Sequence, residues 1–311
     1  MGIKELLAVR VLVTGATGFV GRWATNALTA RGAEVVRLSR TASQGGNGGP
    51  VVAANLLDPN AIRRVVNEVR PNVVLHLAWD VSHGRFYQAA ANLDWLAASV
   101  HLARAAIDAG VSRIVGVGTC VEYSPPENDD CDEDTTPAEP NTLYGISKEA
   151  LRRVISRYAA ENGFSFAWAR LFYLFGPFED ARRLVPSVSI QLARGLPAEL
   201  SSGRALRDFM DVRDVGEALA MLTLSDVTGT VNVGSGRAVS IGAVADQLAE
   251  IAGRSDLIRR GTLPDRPDEA PRIVAATRRL NTEVGYPAPR PLRDSLAEAY
   301  NWWQDQAKSV A

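Results

Sequence analysis

The chain has 311 residues, 46% of them hydrophobic, and a formal net charge of −1, enough to bury one large core or two smaller ones. So near neutrality, nothing global attracts nucleic acid or an anionic membrane. Two cysteines, Cys120 and Cys131, make neither a disulfide framework nor a metal-ligand cluster, and no apolar run approaches the ~20 residues that cross a bilayer. Met1–Ala8 is too short and mixed for a leader peptide. The expectation is a cytoplasmic protein with no metal, nucleic acid or membrane among its partners.

Val9, Val11, Leu12 and Val13 read as a short buried strand, followed by Thr14 and the turn Gly15-x-x-Gly18-x-x-Gly21, with a helix running to about Ala30. Glycines let the backbone bend sharply and press against a bulky ligand. The helix start turns unpaired N–H groups and the positive end of its dipole toward that ligand, a setting that suits a pyrophosphate. Ala33–Leu38 reads as a second strand ending at Ser39 and Arg40, where an NAD site carries a carboxylate for the ribose hydroxyls. A hydroxyl beside a guanidinium instead welcomes a 2′-phosphate. Arg22 and Arg37 add charge nearby, so NADP(H) is expected over NAD(H).

Thr41–Pro50, with four glycines, reads as a loop. Val51–Leu56 is a third strand, and Asp58-Pro59 caps a helix over Asn60–Glu68. Pro71–Ala78 is a fourth, apolar strand, as a parallel sheet covered on both faces requires; His76 within it reads as a packed histidine. Trp79–Gln88, which includes His83, is an irregular segment at a strand's carboxyl end, where such sheets hold ligands. A long helix over Ala91–Ala109 and a fifth strand over Val111–Val117 follow.

That strand runs into Thr119-Cys120-Val121-Glu122-Tyr123, and an acidic, proline-flanked loop leads to Tyr144-Gly145-Ile146-Ser147-Lys148. Tyr144 and Lys148 are four apart on one helix and share a face. A phenol has a reference pKa near ~10, and a nearby ammonium favours its ionised form, bringing it into range for proton transfer. Thr119, at the end of a core strand, can donate to the same oxygen. Two hydroxyls and an amine beside a nicotinamide make a carbonyl-reducing site.

The T-G-x-x-G-x-x-G turn, Thr119 and the Tyr-x-x-x-Lys pair together resemble the extended short-chain dehydrogenase/reductases, specifically their sugar-nucleotide epimerase/dehydratase/reductase group. The resemblance covers nearly the full length. It implies an α/β fold, a Rossmann-type doubly wound parallel sheet with a smaller, mainly C-terminal α/β substrate domain. The expected boundaries are 1–172 plus about 208–234 for the cofactor domain, and about 173–207 plus 235–311 for the nucleotide-sugar domain. Phe166–Leu171 is then a sixth strand, Gly229–Gly234 returns a strand to the first domain, and Ser240–Gly253 and Leu292–Gln306 are helices of the second.

The resemblance also implies roles. Thr119, Tyr144 and Lys148 would be catalytic, with Tyr144 as general acid and Lys148 also on the nicotinamide ribose. The dinucleotide would lie against Gly15, Thr17, Gly18, Phe19, Val20, Gly21 and Arg22. Ser39, Arg40, Asn55 and Leu56 would border the adenosine, and Leu77, Ala78, Trp79 and Asn92 would flank the cofactor further along. A nucleotide-diphosphate sugar, expected to be dTDP-linked, would meet His83, Cys120, Val121 and Tyr173 near the sugar. Leu184, Val185 and Leu200 would hold the base, and Arg207 and Arg266 the diphosphate. Helices corresponding to Ala91–Ala109 and Leu143–Ala160 form a dimer contact in the family, implying a homodimer.

The chain departs from the family at Tyr173, where asparagine is usual, and at Cys120-Val121, where sugar dehydratases carry an acidic pair. No histidine follows His101, as 3,5-epimerising reductases would need. The expectation is therefore NADP(H)-dependent reduction of the keto group of a nucleotide-linked 4-keto-6-deoxyhexose. The alternatives are an NAD-dependent nucleotide-sugar 4-epimerase and, from another class, a non-catalytic NADP(H)-sensing regulator.

Overall fold

Apolar runs become the strands of three sheets, of seven, four and two strands. The computed structural model describes residues 8–41, 49–82, 84–267 and 269–309. Along the chain lie β1 (Arg10–Thr14), α1 (Phe19–Ala30), β2 (Glu34–Ser39), β3 (Val51–Ala53), α2 (Pro59–Val69), β4 (Val73–His76), α3 (Ala91–Asp108) and β5 (Arg113–Thr119). Next come α4 (Leu143–Asn162), β6 (Ser165–Leu171), β7 (Tyr173–Phe175), α5 (Leu184–Ala193), β8 (Ala198–Leu200), β9 (Leu206–Asp211) and α6 (Val212–Leu224). The chain ends with β10 (Gly229–Val233), β11 (Ala238–Ser240), α7 (Ile241–Ala252), β12 (Ile258–Arg260), β13 (Arg272–Ile273), α8 (Arg278–Thr282) and α9 (Leu292–Ser309).

Two compact units emerge. The first comprises Met1–Glu122, Pro140–Ala169 and Gly216–Val231. Its sheet has the order β10-β6-β5-β4-β1-β2-β3, with parallel pairing from β3 through β5. Every residue of β4 and β5 is buried, as expected for strands covered on both faces. Leu12, Val74 and Ile114 of the sheet pack with Val65 and Val66 of α2, Leu102 and Ala106 of α3, and Leu151 and Ile155 of α4. Strand order reverses between β1 and β4, so the crevice at their carboxyl ends is the ligand position of a doubly wound sheet.

The second unit comprises Tyr123–Glu139, Arg170–Val215 and Asn232–Ala311. Here β9 is central, paired with β11, β13 and β7, and β8 pairs with β12. Phe175 and Phe209 pack with Val188 and Leu192 of α5, Val244 and Leu248 of α7, and Leu296 and Tyr300 of α9.

The units divide the chain differently from the sequence expectation at 123–139, 170–172, 208–215 and 232–234. Residues 208–215 fall in the second unit because β9 is the middle of its sheet, and 123–139 join them because Cys131 exchanges backbone hydrogen bonds with Val274 (2.7 Å) and Ala276 (2.9 Å). The third strand stops at Ala53, since the Asn55 side chain accepts from Leu57 N–H at 3.1 Å and turns the chain. Among the described residues, no helix is long and apolar enough to cross a membrane, and no cluster of His, Cys, Asp and Glu could hold a metal.

Candidate active site

The glycine turn is built for close approach. Gly15 has φ +68°, and a Cβ there would come within 2.8 Å of Ala78 N; a Cβ on Gly21 would overlap the Gly15 carbonyl oxygen. Helix α1 opens at Gly18 with no side chain capping it, leaving N–H groups of its first turn for a ligand. A pyrophosphate therefore fits this cradle on both steric and electrostatic grounds. Thr14 fastens the turn to the neighbouring strand: its Oγ1 accepts from Leu77 and Ala78 N–H, both at 3.2 Å.

His76 completes that fastening, and its tautomer follows from its neighbours. The Ser99 hydroxyl donates to the Trp95 carbonyl at 2.6 Å, so it accepts from His76 Nε2–H at 2.8 Å. His76 Nδ1 then accepts from the Thr14 hydroxyl at 2.7 Å. Burial, helped by the charge on Lys148, pulls the imidazole down to about 3. It is a neutral packed histidine, as its apolar strand suggested.

At the end of β2, Ser39 is half-buried and Arg40 is exposed. Arg37 turns instead to the Gly49 carbonyl through Nε (3.1 Å) and Nη2 (2.8 Å). Arg22 lies back on the turn, donating to Thr17 and Gly18 carbonyls at 3.2 and 3.4 Å. The exposed Asp80 carboxylate, held low by hydrogen bonds from Ser82, feels Arg40. Asn55 is exposed, whereas Leu56 packs into the core.

Helix α4 carries Tyr144 and Lys148 on one face. Thr142 caps it by accepting from Gly145 N–H at 3.1 Å, and Tyr144 N–H donates to the Tyr87 carbonyl at 3.0 Å. The Tyr144 ring meets Phe86 edge-on with centroids 5.0 Å apart, Tyr87 at 6.1 Å and Trp79 at 6.3 Å. Asn92 is buried and locks this wall: it accepts from Trp79 Nε1–H (2.8 Å) and donates to the Phe86 (2.7 Å) and Ala89 (2.9 Å) carbonyls. Its amide is thereby spent on the protein, so Asn92 shapes the cofactor's surroundings through Trp79 and the 86–89 backbone.

Lys148 Nζ donates to the Val117 carbonyl at 2.9 Å and lies 3.9 Å from the Trp79 ring centroid, a cation–π contact. Burial lowers its ammonium, opposed by the nearby Glu122 carboxylate. Burial raises the Tyr144 phenol, with Glu122, Tyr87 and Cys120 adding to the rise and a hydrogen bond with Thr119 opposing it. The expectation that Lys148 depresses the phenol is thus reversed in this state. Desolvation and a carboxylate dominate, and the ammonium is engaged elsewhere. The Thr119 hydroxyl lies near enough to Tyr144 to oppose that rise, and it accepts from Val121 N–H at 3.3 Å.

Glu122 is the residue that the sequence reading missed. It lies three residues after Thr119, in a single-turn 3-10 helix with Cys120 and the half-buried Val121, and nothing in the sequence separates a buried glutamate there from an exposed one. His83 lies outside the described residues. Among second-unit candidates, Tyr173 is half-buried with its ring beneath the Arg207 guanidinium, 5.4 Å away. Arg207 itself is buried and committed to the Ala270 carbonyl (2.8 Å) and the Glu269 carboxylate (2.9 Å). Val185 and Leu200 are core residues and Leu184 packs beside them, while Arg266 is exposed.

A crevice of glycines at the switch point, with the Thr119 hydroxyl at the end of β5 and the Tyr144 phenol and Lys148 amine on α4, is the arrangement of a dinucleotide-binding protein of the Rossmann class. The profile of the NAD dependent epimerase/dehydratase family matches residues 11–234, and the chain belongs to that family. A dTDP-6-deoxy-L-talose 4-dehydrogenase (NAD(P)(+)) from Kitasatospora kifunensis is 31% identical over 82% of this chain and 83% of its own. A UDP-glucose 4-epimerase from Azospirillum brasilense is 27% identical over 97% and 94%. The structure of a Thermus thermophilus UDP-glucose 4-epimerase with NAD superimposes with a TM-score of 0.85 at 26% identity, covering 95% of this chain and 99% of that one.

Proposed function

We propose that the protein reduces the keto group of a nucleotide-diphosphate-linked 4-keto-6-deoxyhexose, with NADP(H) as cofactor. The observation that carries this reading is the end of β2, where half-buried Ser39 and exposed Arg40 stand with no acid for the ribose hydroxyls of NAD, so that NADP(H) and net reduction are favoured. In reduction the Tyr144 phenol gives its proton to the carbonyl oxygen; in the oxidative first half of 4-epimerisation it would take one.

The bound cofactor supplies the hydride. Tyr144 Oη gives its proton to the carbonyl oxygen as charge develops there, and the Thr119 hydroxyl donates a hydrogen bond to the same oxygen. Lys148, on the same face of α4, brings positive charge into the pocket from its place on the Val117 carbonyl, and the aromatic wall of Trp79, Phe86 and Tyr87 limits water there. Ser39 and Arg40, with no acid in the ribose position, favour the 2′-phosphate. Arg266 and Leu184 are the second-unit residues best suited to the nucleotide. Arg207 would serve it only by releasing Glu269; as it stands, it braces Tyr173.

The family relative named as a dTDP-sugar dehydrogenase using NAD(P) supports this reading, and the 4-epimerase relative supports the alternative. Following NADPH oxidation on freshly made dTDP- and UDP-linked 4-keto-6-deoxyhexoses separates them. A reductase consumes one NADPH per ketone reduced. A 4-epimerase interconverts its substrates with no added cofactor, and a sensor binds NADPH without consuming it.

A further inference from the structure

We infer that Glu122 is a positioning residue of the Thr119–Tyr144–Lys148 site: its buried carboxylate fixes the backbone of Thr119 and supplies the counter-charge that keeps Lys148 an ammonium. The inference rests on the catalytic roles given to those three residues above.

The Glu122 side chain is fully buried. Its Oε1 accepts from Thr119 N–H at 2.8 Å and its Oε2 from Trp168 Nε1–H at 2.9 Å. Both oxygens face N–H donors, which suits the ionised form, since a carboxyl proton would have to compete with one of them. The place is sterically reserved. A Cβ on Gly118 would overlap both Glu122 Oε1 and Trp168 Nε1, so the strand carries glycine where carboxylate and indole press against it.

The first of these bonds sets the turn at the end of β5, and with it the direction of the Thr119 hydroxyl. The second ties that turn to β6 through Trp168. Lys148, from α4, reaches the same strand end at the Val117 carbonyl, with the Trp168 ring centroid 6.0 Å away. An amine so deeply buried tends to lose its proton, and the groups around it decide whether it does. Glu122 from the β5 end favours the ammonium. His76 from β4 is neutral and contributes no charge. Tyr144 on α4 is uncharged in the protonated state that burial favours for the phenol. The Trp79 face adds attraction without charge. Glu122 thus stands as the anion of the pocket.

The test reads Lys148 directly. The chain has three lysines, Lys4, Lys148 and Lys308, so full-length protein grown on carbon-13 lysine gives three sets of side-chain signals, which Lys148→Arg assigns. The Glu122→Gln variant is expected to lower the Lys148 titration midpoint by about one pH unit or more. An unchanged midpoint in a folded variant overturns the inference.

Should Glu122→Gln not fold, Glu122→Asp decides. It keeps the charge and shortens the reach, so the midpoint should stay within about half a unit of wild type. Its kcat should fall about tenfold at unchanged KM for NADPH as Thr119 loses its anchor. Wild-type kcat in Glu122→Asp, or a midpoint as far displaced as that of a neutral variant, counts against the inference. The titration needs no substrate. A shifted midpoint in a protein that reduces no ketone would uphold the electrostatic role while refuting the reductase reading.

Discussion

Tyr144 is the proposed proton donor, and its surroundings hold the phenol protonated until a carbonyl oxygen gains enough negative charge to take the proton. It is buried among three aromatic rings, near the Thr119 hydroxyl and in the field of Glu122. Tyr144→Phe keeps the ring and removes only the phenolic hydroxyl. It should lower kcat by ~10²–10⁴ while NADPH binding, followed by tryptophan quenching, stays as in wild type; turnover at the wild-type rate would remove Tyr144 from the mechanism. Arg40 is exposed at the end of β2, where the 2′-phosphate is expected. Arg40→Ala should raise KM for NADPH about tenfold, the worth of one charge-assisted contact, and leave KM for NADH unaltered. Equal effects on both cofactors would mean that Arg40 does not read the phosphate.

The junction of β1, β4 and α3 depends on one neutral imidazole. His76 joins Thr14 to Ser99, and folding holds it at about 3, well under the ~6.5 of an unfolded histidine. As pH falls below that value, the unfolded chain takes up a proton that the folded chain refuses. Stability is therefore lost with falling pH, at ~1.4 kcal/mol per pH unit for this group. Urea unfolding at pH 7 and pH 5 should show wild type losing ~2 kcal/mol more than His76→Asn; parallel losses would contradict a buried neutral imidazole. The start of α4 depends on its cap, and Thr142→Ala should cost about 1 kcal/mol and lower kcat, because Tyr144 lies in the first turn.

These elements were readable because their signals are local. The strand, glycine turn and helix of β1 and α1, the Asp58 cap and the Tyr144–Lys148 spacing each lie within one short stretch. What was not readable depended on distant partners. The unit to which β9 belongs is decided by β7, β11 and β13, and the place of the acidic loop by Val274 and Ala276. Arg207 looked available for a phosphate, yet Glu269 and Ala270, more than sixty residues on, occupy its guanidinium. Glu122 looked like any acidic residue in a polar turn until Trp168, from another strand, closed over it.

For the chain as a whole, the family match and the two separate cores fit the proposal that cofactor and sugar nucleotide are bound by different stretches. Each ligand should then stabilise the fold by mass action. Thermal unfolding is expected at higher temperature with NADPH, and higher still when dTDP is added than when UDP is. The reverse order would replace thymidine by uridine in the substrate and leave the chemistry as argued. The most direct test of that chemistry is the fate of the transferred hydrogen. With NADPH deuterated at the transferable position and a nucleotide-linked 4-keto-6-deoxyhexose, the sugar product should carry one deuterium at carbon 4 for every NADP formed. Product formed without label at that carbon and without consumption of NADPH would contradict net reduction.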